Sequence, residues 1–302
     1  MDLSVVVPTL NAREELARCL DALTEHVPEA ELIVVNGPSS DGTTGMIRER
    51  DDVDVLVEVA DRTINAARNA GIDRAGGTAI AFLDHTFTVT AGWADAVRAG
   101  LDTADVVSGP TDSNIEGDDA MTAPESRTIA GRDVSYFNAG NVAFDRHVLD
   151  ELDGFDEYLH VGGSRDLAHR LAGKGFSVGW QERMRVNHDM GTDGGELTSD
   201  RNWKYRSLSY RLVKNYNLRP TVAWRILRHA GKDASGELRA VVRGDSRPSE
   251  WLATGRTVVS SIFGGIKDGF RARWRDRTSR RNPQGRSSRA DRAVTIYDWR
   301  TG

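Results

Sequence analysis

The stretch LSVVVPTLNAREELARCLDAL, residues 3–23, decides the fold class. It opens with a short β-branched apolar run that ends at a proline, which predicts a buried strand over Leu3–Pro8. Apolar residues then recur at helical spacing, at Leu16, Cys19, Leu20 and Leu23. Asn11, with Glu14 three residues later, is typical of a helix cap and its capping box. A strand that passes directly into a helix is the unit of a parallel α/β sheet.

The same alternation of strand and helix continues over the next sixty residues. Short apolar runs predict three more strands, over Glu31–Val35, Val53–Val59 and Thr78–Asp84. Between them lie two predicted helices, one that ends at Arg50 and one over Thr63–Ala75. Strands joined by helices form right-handed βαβ units. We therefore expect an α/β protein with a Rossmann-like, mostly parallel sheet and helices on both faces.

The middle of the chain mixes strands and helices without a regular order. Strands are predicted over Asp105–Ser108, Tyr136–Phe144 and Phe176–Trp180. Helices are predicted over Arg146–Leu152 and Arg165–Ala172. The segment Thr111–Arg132 is polar and rich in Asp, Thr and Glu, so we interpret it as a surface loop beside the site.

Polar side chains follow the predicted strands of the first half. They are Thr9 and Asn11, Asn36, Asp61 and Arg62, and Asp84. Because ligands bind outside the carboxyl ends of parallel strands, we expect these groups to line one face of the domain. At one of these ends FLDHT, residues 82–86, sets an acid, an imidazole and a hydroxyl side by side.

The net charge of −5 divides sharply between two parts of the chain. Residues 201–302 hold 24 Lys and Arg against 8 Asp and Glu, a net charge of +16, whereas residues 1–200 carry −21. This change predicts an α/β domain over 1–200 and a basic, mainly helical C-terminal extension over 201–302. The acidic first part would repel a nucleic-acid backbone, so no nucleic-acid partner is expected. Its preference for Arg over Lys favours a GC-rich, salt-adapted source.

Cysteine usage and hydropathy bear on where the protein acts. The single cysteine, Cys19, excludes an internal disulfide, and its place in a helical stripe predicts a buried, inert thiol. The first residues lack the basic lead of a signal peptide, and no run approaches the roughly 20 apolar residues of a membrane span. A reducing, cytoplasmic location is therefore expected.

One predicted helix of the C-terminal extension is both basic and amphipathic. Its apolar residues recur at helical spacing, at Val258, Val259, Ile262, Phe263, Ile266, Phe270 and Trp274. Such a helix is typical of a membrane-surface element, which would place the protein at the inner face of the cell membrane. The alternative is that the stripe packs on the first domain and the arginines neutralise its acidic surface. Residues 277–292 are interpreted as a linker, and AVTIYDW, residues 293–299, as a segment that docks back.

Short motifs along the chain resemble those of the family 2 glycosyltransferases, which have the GT-A fold. In the first half they are VVVPTLN (5–11), VVNGPSSDGT (34–43), RNAGI (68–72) and FLDHT (82–86). In the second half they are NAGNVAF (138–144), GFDEYL (154–159), GGSRDLAHRL (162–171) and RVNH (185–188). Each motif is weak alone, but their order over roughly two thirds of the chain is similar to that of the family, including a halophilic archaeal type.

The resemblance implies an inverting transfer of a sugar from a nucleoside diphosphate sugar to an acceptor. A positive group must hold the departing diphosphate while a carboxylate removes the proton of an acceptor hydroxyl. The implied nucleotide-sugar contacts are Pro8, Thr9, Asn11, Asn36, Arg68 and Asp84. Because Asn36-Gly37 replace a more usual Asp-Asp or Asp-Gly, the sequence does not identify the nucleotide base of the donor. The implied acceptor is a hydroxyl or phosphate of a glycan or of a polyprenyl lipid.

Asp166 is the catalytic base that the resemblance implies. The family often has Glu-Asp, one further residue, then Asp-Leu at the start of this helix. Here Gly163-Ser164 replace the first pair, and Asp166-Leu167 match the second. A helix cap is the alternative role of Asp166. Asp156 and Asp41 are better interpreted as turn and cap residues than as ligand contacts.

The family's metal motif, Asp-X-Asp, is incomplete in FLDHT. Because residues alternate faces in an extended segment, Asp84 and Thr86 are expected to point the same way and His85 the other way. Thr86 then takes the place of the second acid and lowers the negative charge of the site. The resemblance implies Mn²⁺ or Mg²⁺ held by Asp84 and His188. The alternative for His188 is an ordinary surface histidine.

Three outcomes are open for this site. Asp84, the diphosphate and His188 could hold a metal that binds only with the donor. Arg68 and other cations could instead replace the metal. In the third outcome the protein binds a nucleotide sugar without transferring it, and this is the rival to the enzyme interpretation.

Overall fold

The structure is a computed structural model that describes residues 1–112, 121–188, 201–243, 248–278, 281–286 and 293–300, with only the backbone for 112, 201–202, 232–243, 248–254 and 293. The described helices are α1 (Arg13–His26), α2 (Thr43–Arg48), α3 (Ile64–Ile72), α4 (Trp93–Leu101), α5 (Arg146–Leu152), α6 (Gly163–Lys174), α7 (Arg201–Tyr216), α8 (Pro220–Arg243) and α9 (Pro248–Arg275). The described strands are β1 (Leu3–Thr9), β2 (Glu31–Asn36), β3 (Val55–Val59), β4 (Ala79–Leu83), β5 (Phe87–Val89), β6 (Val106–Ser108), β7 (Thr111–Asp112), β8 (Glu125–Ile129), β9 (Arg132–Tyr136), β10 (Asn141–Asp145), β11 (Val178–Trp180), β12 (Val186–His188) and β13 (Ala293–Asp298).

An eight-stranded sheet forms the centre of the molecule, in the order β11-β6-β10-β4-β1-β2-β3-β13. β1 pairs in parallel with β2 and β4, β2 with β3, and β6 with β11. β10 is antiparallel between β4 and β6, and β13 is antiparallel at the edge beside β3. The predicted mostly parallel sheet is confirmed. Two smaller sheets, β5-β12-β7 and β8-β9, flank it.

Helices cover both faces of the central sheet, as predicted. Val5 and Val7 of β1 pack in a core with α1, α2 and α4, whereas Val6 packs in a second core with α3, α5 and α6. Because both faces are buried, the strand can be apolar without alternation. Cys19 lies in the first core and is fully buried, which confirms the prediction of a structural thiol.

Two local predictions are wrong because side chains bond to other parts of the chain. Asn11 does not cap α1: it adopts a φ of +50°, and its Oδ1 accepts a hydrogen bond from the Ser40 amide at 2.8 Å. The first amide of the helix, that of Arg13, instead donates to Asp41 Oδ2 at 3.1 Å. The stretch predicted as one strand from Tyr136 is divided into β9 and β10, because the Gly140 amide turns back to Asn138 Oδ1.

The polar segment 111–132 contains regular structure at both ends. Thr111–Asp112 forms β7, and Glu125–Ile129 forms β8, which makes a hairpin with β9. The prediction of a loop is therefore wrong for these residues. Residues 113–120 lie outside the described residues.

The C-terminal part packs against the rest of the chain at several points. The predicted return of residues 293–299 is confirmed, because β13 adds to the sheet beside β3. Part of the predicted linker also packs: Asn282 is buried and donates to the Asp153 carbonyl oxygen at 2.5 Å. The predicted division at residue 200 falls in 189–200, outside the described residues, and stays a prediction.

The amphipathic helix α9 divides its apolar residues between core and solvent. Ile262 is buried in a core cluster with Val258 and Ile266 against it. Val259, Phe263, Phe270 and Trp274 are instead 52%, 67%, 40% and 69% exposed. The interpretation that the whole stripe packs on the first domain is therefore wrong for these four of its seven residues. Within the described residues, no helix combines the length and apolar character needed to cross a membrane.

Candidate active site

FLDHT ends a strand and begins a tight turn. β4 stops at Leu83, and the Phe87 amide donates to the Asp84 carbonyl oxygen at 3.0 Å. Thr86 donates to Asp84 Oδ1 through its amide at 3.0 Å and through its hydroxyl at 2.9 Å. His85 Nδ1 lies 3.6 Å from the same Oδ1. The expectation that His85 points away from Asp84 is wrong, because the chain turns here instead of continuing as extended strand.

The turn lies against the carboxyl end of β1. His85 Nδ1 is 3.2 Å from the Pro8 carbonyl oxygen. Thr9 is buried, and its Oγ1 has no hydrogen-bond partner among the described residues. A buried hydroxyl without a partner is costly, so its position is suited to a ligand that approaches the end of this strand.

Arg68 on α3 supplies the buried cation of this face. It is 7% exposed, and its guanidinium carbon lies 5.2 Å from the centre of the Phe155 ring. Nη1 donates to Asn65 Oδ1 at 3.5 Å, and Nε has no hydrogen-bond partner among the described residues. Burial lowers the pKa of Arg68 to about 10, against the opposing charge of Asp84, so Arg68 is still protonated at neutral pH. A buried guanidinium without an ion-paired carboxylate favours an anionic ligand.

His188 joins the same group through the small sheet. β12 pairs with β5, and the rings of His188 and Phe87 meet edge to face at 5.5 Å. His188 Nδ1 is buried, and no described residue bonds to it. The Phe87 amide also donates to the Asp84 carbonyl oxygen, so Phe87 contacts both His188 and Asp84.

Asp84 and His188 are side chains of this face that could contribute ligands to a divalent metal. Burial raises the pKa of Asp84, but the charge of His85, the two Thr86 bonds and the charge of Arg68 outweigh burial and hold that pKa below its usual value. Asp84 is therefore a carboxylate at neutral pH. Mn²⁺ and Mg²⁺ need several further oxygen ligands, and no third His, Cys, Asp or Glu joins a cluster within the described residues. Diphosphate oxygens and water would have to complete the shell.

Asn11 and Asn36 lie at the same edge but are bonded within the loop that follows β2. Asn36 is buried, its Nδ2 donates to Thr44 at 2.7 Å, and its Oδ1 accepts from Ser39 at 2.7 Å. The loop is tied to β1, because the Gly37 amide donates to the Thr9 carbonyl oxygen at 2.9 Å. The side chain of Asn36 and the Oδ1 atom of Asn11 are thus engaged within this loop.

Asp166 lies in a separate, buried cluster of charges. Its Oδ2 accepts from Lys214 Nζ at 2.8 Å and from Arg170 Nε at 2.9 Å, and its Oδ1 accepts from Asn215 at 2.9 Å. Asp156 shares the same lysine at 2.6 Å. The side chains of Asp166, Asp156 and Lys214 are 0% exposed.

This geometry changes the role assigned to Asp166. Burial raises its pKa, but Lys214 and Arg170 outweigh burial and hold the pKa well below its usual range. Both oxygens are occupied and neither is exposed, so the carboxylate cannot reach an acceptor proton in this structure. Asp166 does not cap α6 either, because the cap residue is Gly162 and no side chain caps that helix. We reassign Asp166 from base to structural ion that ties α6 to α7.

Two buried polar residues were not predicted from the sequence. Lys214 holds both buried aspartates, and its only signal was a charge within the apolar series Leu212, Val213 and Tyr216. Asn65 lies on α3, three residues before Arg68, and its Nδ2 donates to the Leu159 carbonyl oxygen at 2.7 Å. A buried asparagine has no periodic signature, so only its contacts reveal it.

Comparison with known proteins identifies the family. Residues 4–152 match the model of the family described as Glycosyl transferase family 2. Glycosyltransferase AglE of Haloferax volcanii is 28% identical over 196 residues, 58% of this chain and 62% of AglE. Polyprenol monophosphomannose synthase of Mycolicibacterium smegmatis is 29% identical over 201 residues, 58% of this chain and 73% of that protein. The chain thus spans less than two thirds of the length of AglE.

The fold is shared with solved glycosyltransferase structures. Mannosyltransferase PcManGT from Pyrobaculum calidifontis, in complex with GDP-Man and Mn²⁺, superposes with a TM-score of 0.56 at 19% identity, over 91% of this chain and 88% of that chain. At this identity the likeness shows the fold alone. The chain therefore contains a family 2 glycosyltransferase domain over residues 4–152, and it has the GT-A fold.

Proposed function

We propose that the protein is an inverting glycosyltransferase. It moves a sugar from a nucleoside diphosphate sugar to a hydroxyl or phosphate of a glycan or lipid-linked acceptor. The observation that carries the proposal is Arg68, a buried guanidinium beside an ionised Asp84 and without an ion-paired carboxylate of its own among the described residues. A diphosphate is the ligand that such a pair of opposite charges fits, with the anion on Arg68 and a metal on Asp84.

Each residue of the site has a role in holding the donor. Pro8 and Thr9 end the strand against which the nucleotide lies, and Arg68 balances the negative charge of the diphosphate. Thr86 fixes Asp84 in one orientation and keeps it ionised. Asp84 and His188 would hold Mn²⁺ or Mg²⁺, which would neutralise the diphosphate as it departs.

The names of the relatives support the proposed classes of donor, metal and acceptor. The PcManGT complex contains GDP-Man and Mn²⁺, and the mycolicibacterial relative is a polyprenol monophosphomannose synthase. These names favour a nucleotide-sugar donor, a divalent metal and a lipid-linked acceptor for this chain. Attack by the acceptor on the face opposite the diphosphate would invert the anomeric centre.

A panel of UDP-, GDP- and dTDP-sugars, each with and without Mn²⁺, tests the proposal. Thermal stability and release of free nucleoside diphosphate are measured in the same samples. We expect one donor class to raise Tm with Mn²⁺ and to release its diphosphate when acceptor is added. Stabilisation without any release or transfer would support the rival, a protein that only binds nucleotide sugars. Stabilisation by none of the donors would contradict both.

We also propose that α9 places the protein at the inner face of the cell membrane. Phe263, Phe270 and Trp274 recur at spacings of seven and four residues, so they lie on one face of the helix. Lys267 and Arg271 are exposed beside them. Aromatic side chains among basic ones suit an anionic lipid surface, where a polyprenyl acceptor would also lie.

A further inference from the structure

The start of α6 carries no acid pair where family members often have Glu-Asp. Gly163 and Ser164 occupy those two positions. A Cβ on Gly163 would come within 2.4 Å of the Asn65 amide group, so the packing leaves no room for a glutamate. Of the buried carboxylates nearby, Asp156 and Asp166 are bonded to Lys214, and Glu157 accepts a hydrogen bond from Asn69 at 2.8 Å. Among the described residues, this end of the helix therefore offers no evident general base.

Two guanidinium groups lie at this helix end instead. Arg211 reaches it from α7, and its Nη1 would be 2.4 Å from a Cβ placed on Gly162. Arg211 Nε is buried, with no hydrogen-bond partner among the described residues. Burial, and then the charge of Arg165, lower the pKa of Arg211 to about 10, so it remains protonated. Arg165 itself lies over the Tyr136 ring, 4.6 Å from its centre.

Nearby acids offset these cations only in part. Glu125 is shared between Arg127 at 2.9 Å and Arg165 at 3.4 Å. The charge of Arg225 also lowers the pKa of Arg211. Arg225 also lines a groove between α8 and the turn of the β8–β9 hairpin, together with Arg219, Trp224 and Arg228, and the groove lining includes no acidic side chain. The helix end and the groove are thus both rich in arginine, and Asn65 contacts both Arg68 and Gly163 of the helix end.

We propose that the nucleophile of the acceptor is the oxygen of an ionised phosphate monoester, held by Arg165 and Arg211. This inference rests on the proposed glycosyl transfer and specifies its acceptor. The second pKa of a phosphate monoester is about 6, so at neutral pH the attacking oxygen has no proton for a base to remove. An anionic nucleophile explains both the positive charge at this helix end and the absence of the acid pair there.

The bond changes balance without a proton transfer. The phosphate oxygen forms a bond to C1 of the donor sugar as the bond from C1 to the diphosphate oxygen breaks. The electron pair of the broken bond leaves with the nucleoside diphosphate. The product is a sugar phosphodiester, whose single negative charge stays beside the arginines.

Four acceptors test the inference with the whole protein, its donor and Mn²⁺. They are farnesyl phosphate, farnesol, glycerol 3-phosphate and a neutral alkyl glycoside. We expect transfer to the phosphates and none to the two neutral acceptors. Preference for farnesyl phosphate would assign the phosphate to a lipid, and equal use of both would assign recognition to the phosphate alone. Transfer only to neutral hydroxyls, or no transfer to either phosphate, would overturn the inference.

A variant at Arg165, whose side chain is 42% exposed, lowers the risk of unfolding. Arg165→Gln should raise KM for the phosphate acceptor about tenfold or more, because it removes a charge-assisted contact, and should leave KM for the donor unchanged. Arg98→Gln, which removes an exposed arginine paired with Asp95 on α4, is the control and should change neither. An unchanged acceptor KM in Arg165→Gln would also overturn the inference. A donor-induced rise in Tm without phosphate transfer rejects this inference alone, whereas no donor-induced rise rejects the proposed function itself.

Discussion

At the scale of single residues, two aspartates from similar motifs lie in opposite environments. Asp84 follows a strand at the ligand face, where two hydrogen bonds from Thr86 orient it and favour its ionised form. Asp166 begins a helix but is covered by α7 and neutralised by Lys214. The sequence places both aspartates at element ends and does not distinguish their environments, because Lys214, which bonds to Asp166, lies 48 residues away along the chain.

Lys214→Met tests the structural role of this buried cluster. The substitution leaves Asp156 and Asp166 buried and short of one cation, so we expect a loss of roughly 3–5 kcal/mol in the free energy of unfolding. Urea unfolding followed by circular dichroism measures it. Lys267→Met, at an exposed lysine on α9, is the matched control and should stay within about 0.5 kcal/mol of wild type. Similar stabilities for the two variants would contradict the role of the cluster.

At the scale of elements, the local sequence pattern predicts periodic strands and helices, but it does not predict the pairing of segments that are distant in the chain. The strands β1–β4 and the helices α1–α3 follow from apolar spacing, because the strands are almost wholly buried and each helix has a buried face. β5, β7 and β12 form a sheet from three distant segments, and β13 joins β3 from the far end of the chain. No pattern within these short segments identifies the strand with which each one pairs, so only the structure shows the pairing.

The packing of α6 on α7 should make stability depend on pH. His169 is 1% exposed, and its Nδ1 lies 2.9 Å from the Tyr216 hydroxyl. Burial, and then the charge of Arg211, lower the pKa of His169 to about 3. The unfolded chain, with a histidine pKa near 6.5, binds more protons between these values. The free energy of unfolding should therefore fall as pH drops from about 6.5 towards 3, by at most about 1.4 kcal/mol per pH unit from this group.

Comparison of two histidine variants isolates this contribution. Urea unfolding is measured at several pH values between 7 and 4 for wild type, His169→Gln and His147→Gln. His147 is exposed, so its variant should keep the slope of wild type. His169→Gln should have a shallower slope. Equal slopes for all three proteins would show that the protonation of His169 is not linked to folding.

At the scale of the whole molecule, the opposite charges of the two parts of the chain meet directly. Arg286 pairs with Asp150, Arg300 pairs with Glu31 at 2.5 Å, and Lys214 pairs with both buried aspartates. The interpretation that basic residues neutralise the acidic part therefore holds at these contacts. It leaves the exposed aromatic face of α9 unexplained, and the membrane proposal accounts for that face.

Sedimentation with anionic vesicles tests the membrane proposal. The wild-type protein should pellet with vesicles that contain phosphatidylglycerol, because aromatic and basic side chains of α9 enter the headgroup region together. The double variant Phe263→Ser/Trp274→Ser should pellet markedly less. Trp299→Ser, which removes a 42% exposed aromatic residue beyond β13, is the control and should pellet like wild type. Equal pelleting of the double variant and wild type would reject α9 as the contact.

The central claim is that the carboxyl ends of β1 and β4 bind a nucleotide sugar through Arg68 and Asp84. Calorimetric titration of wild type, Asp84→Asn and Asp95→Asn with nucleoside diphosphates, with and without Mn²⁺, tests it most directly. We predict Mn²⁺-enhanced binding of one nucleotide by wild type and by the exposed control Asp95→Asn. Asp84→Asn should bind at least about tenfold more weakly with Mn²⁺ and should lose the enhancement, because the substitution removes the protein's carboxylate from the ligand set of the metal. Equal, equally Mn²⁺-dependent binding by Asp84→Asn, or no binding by wild type, would contradict the account.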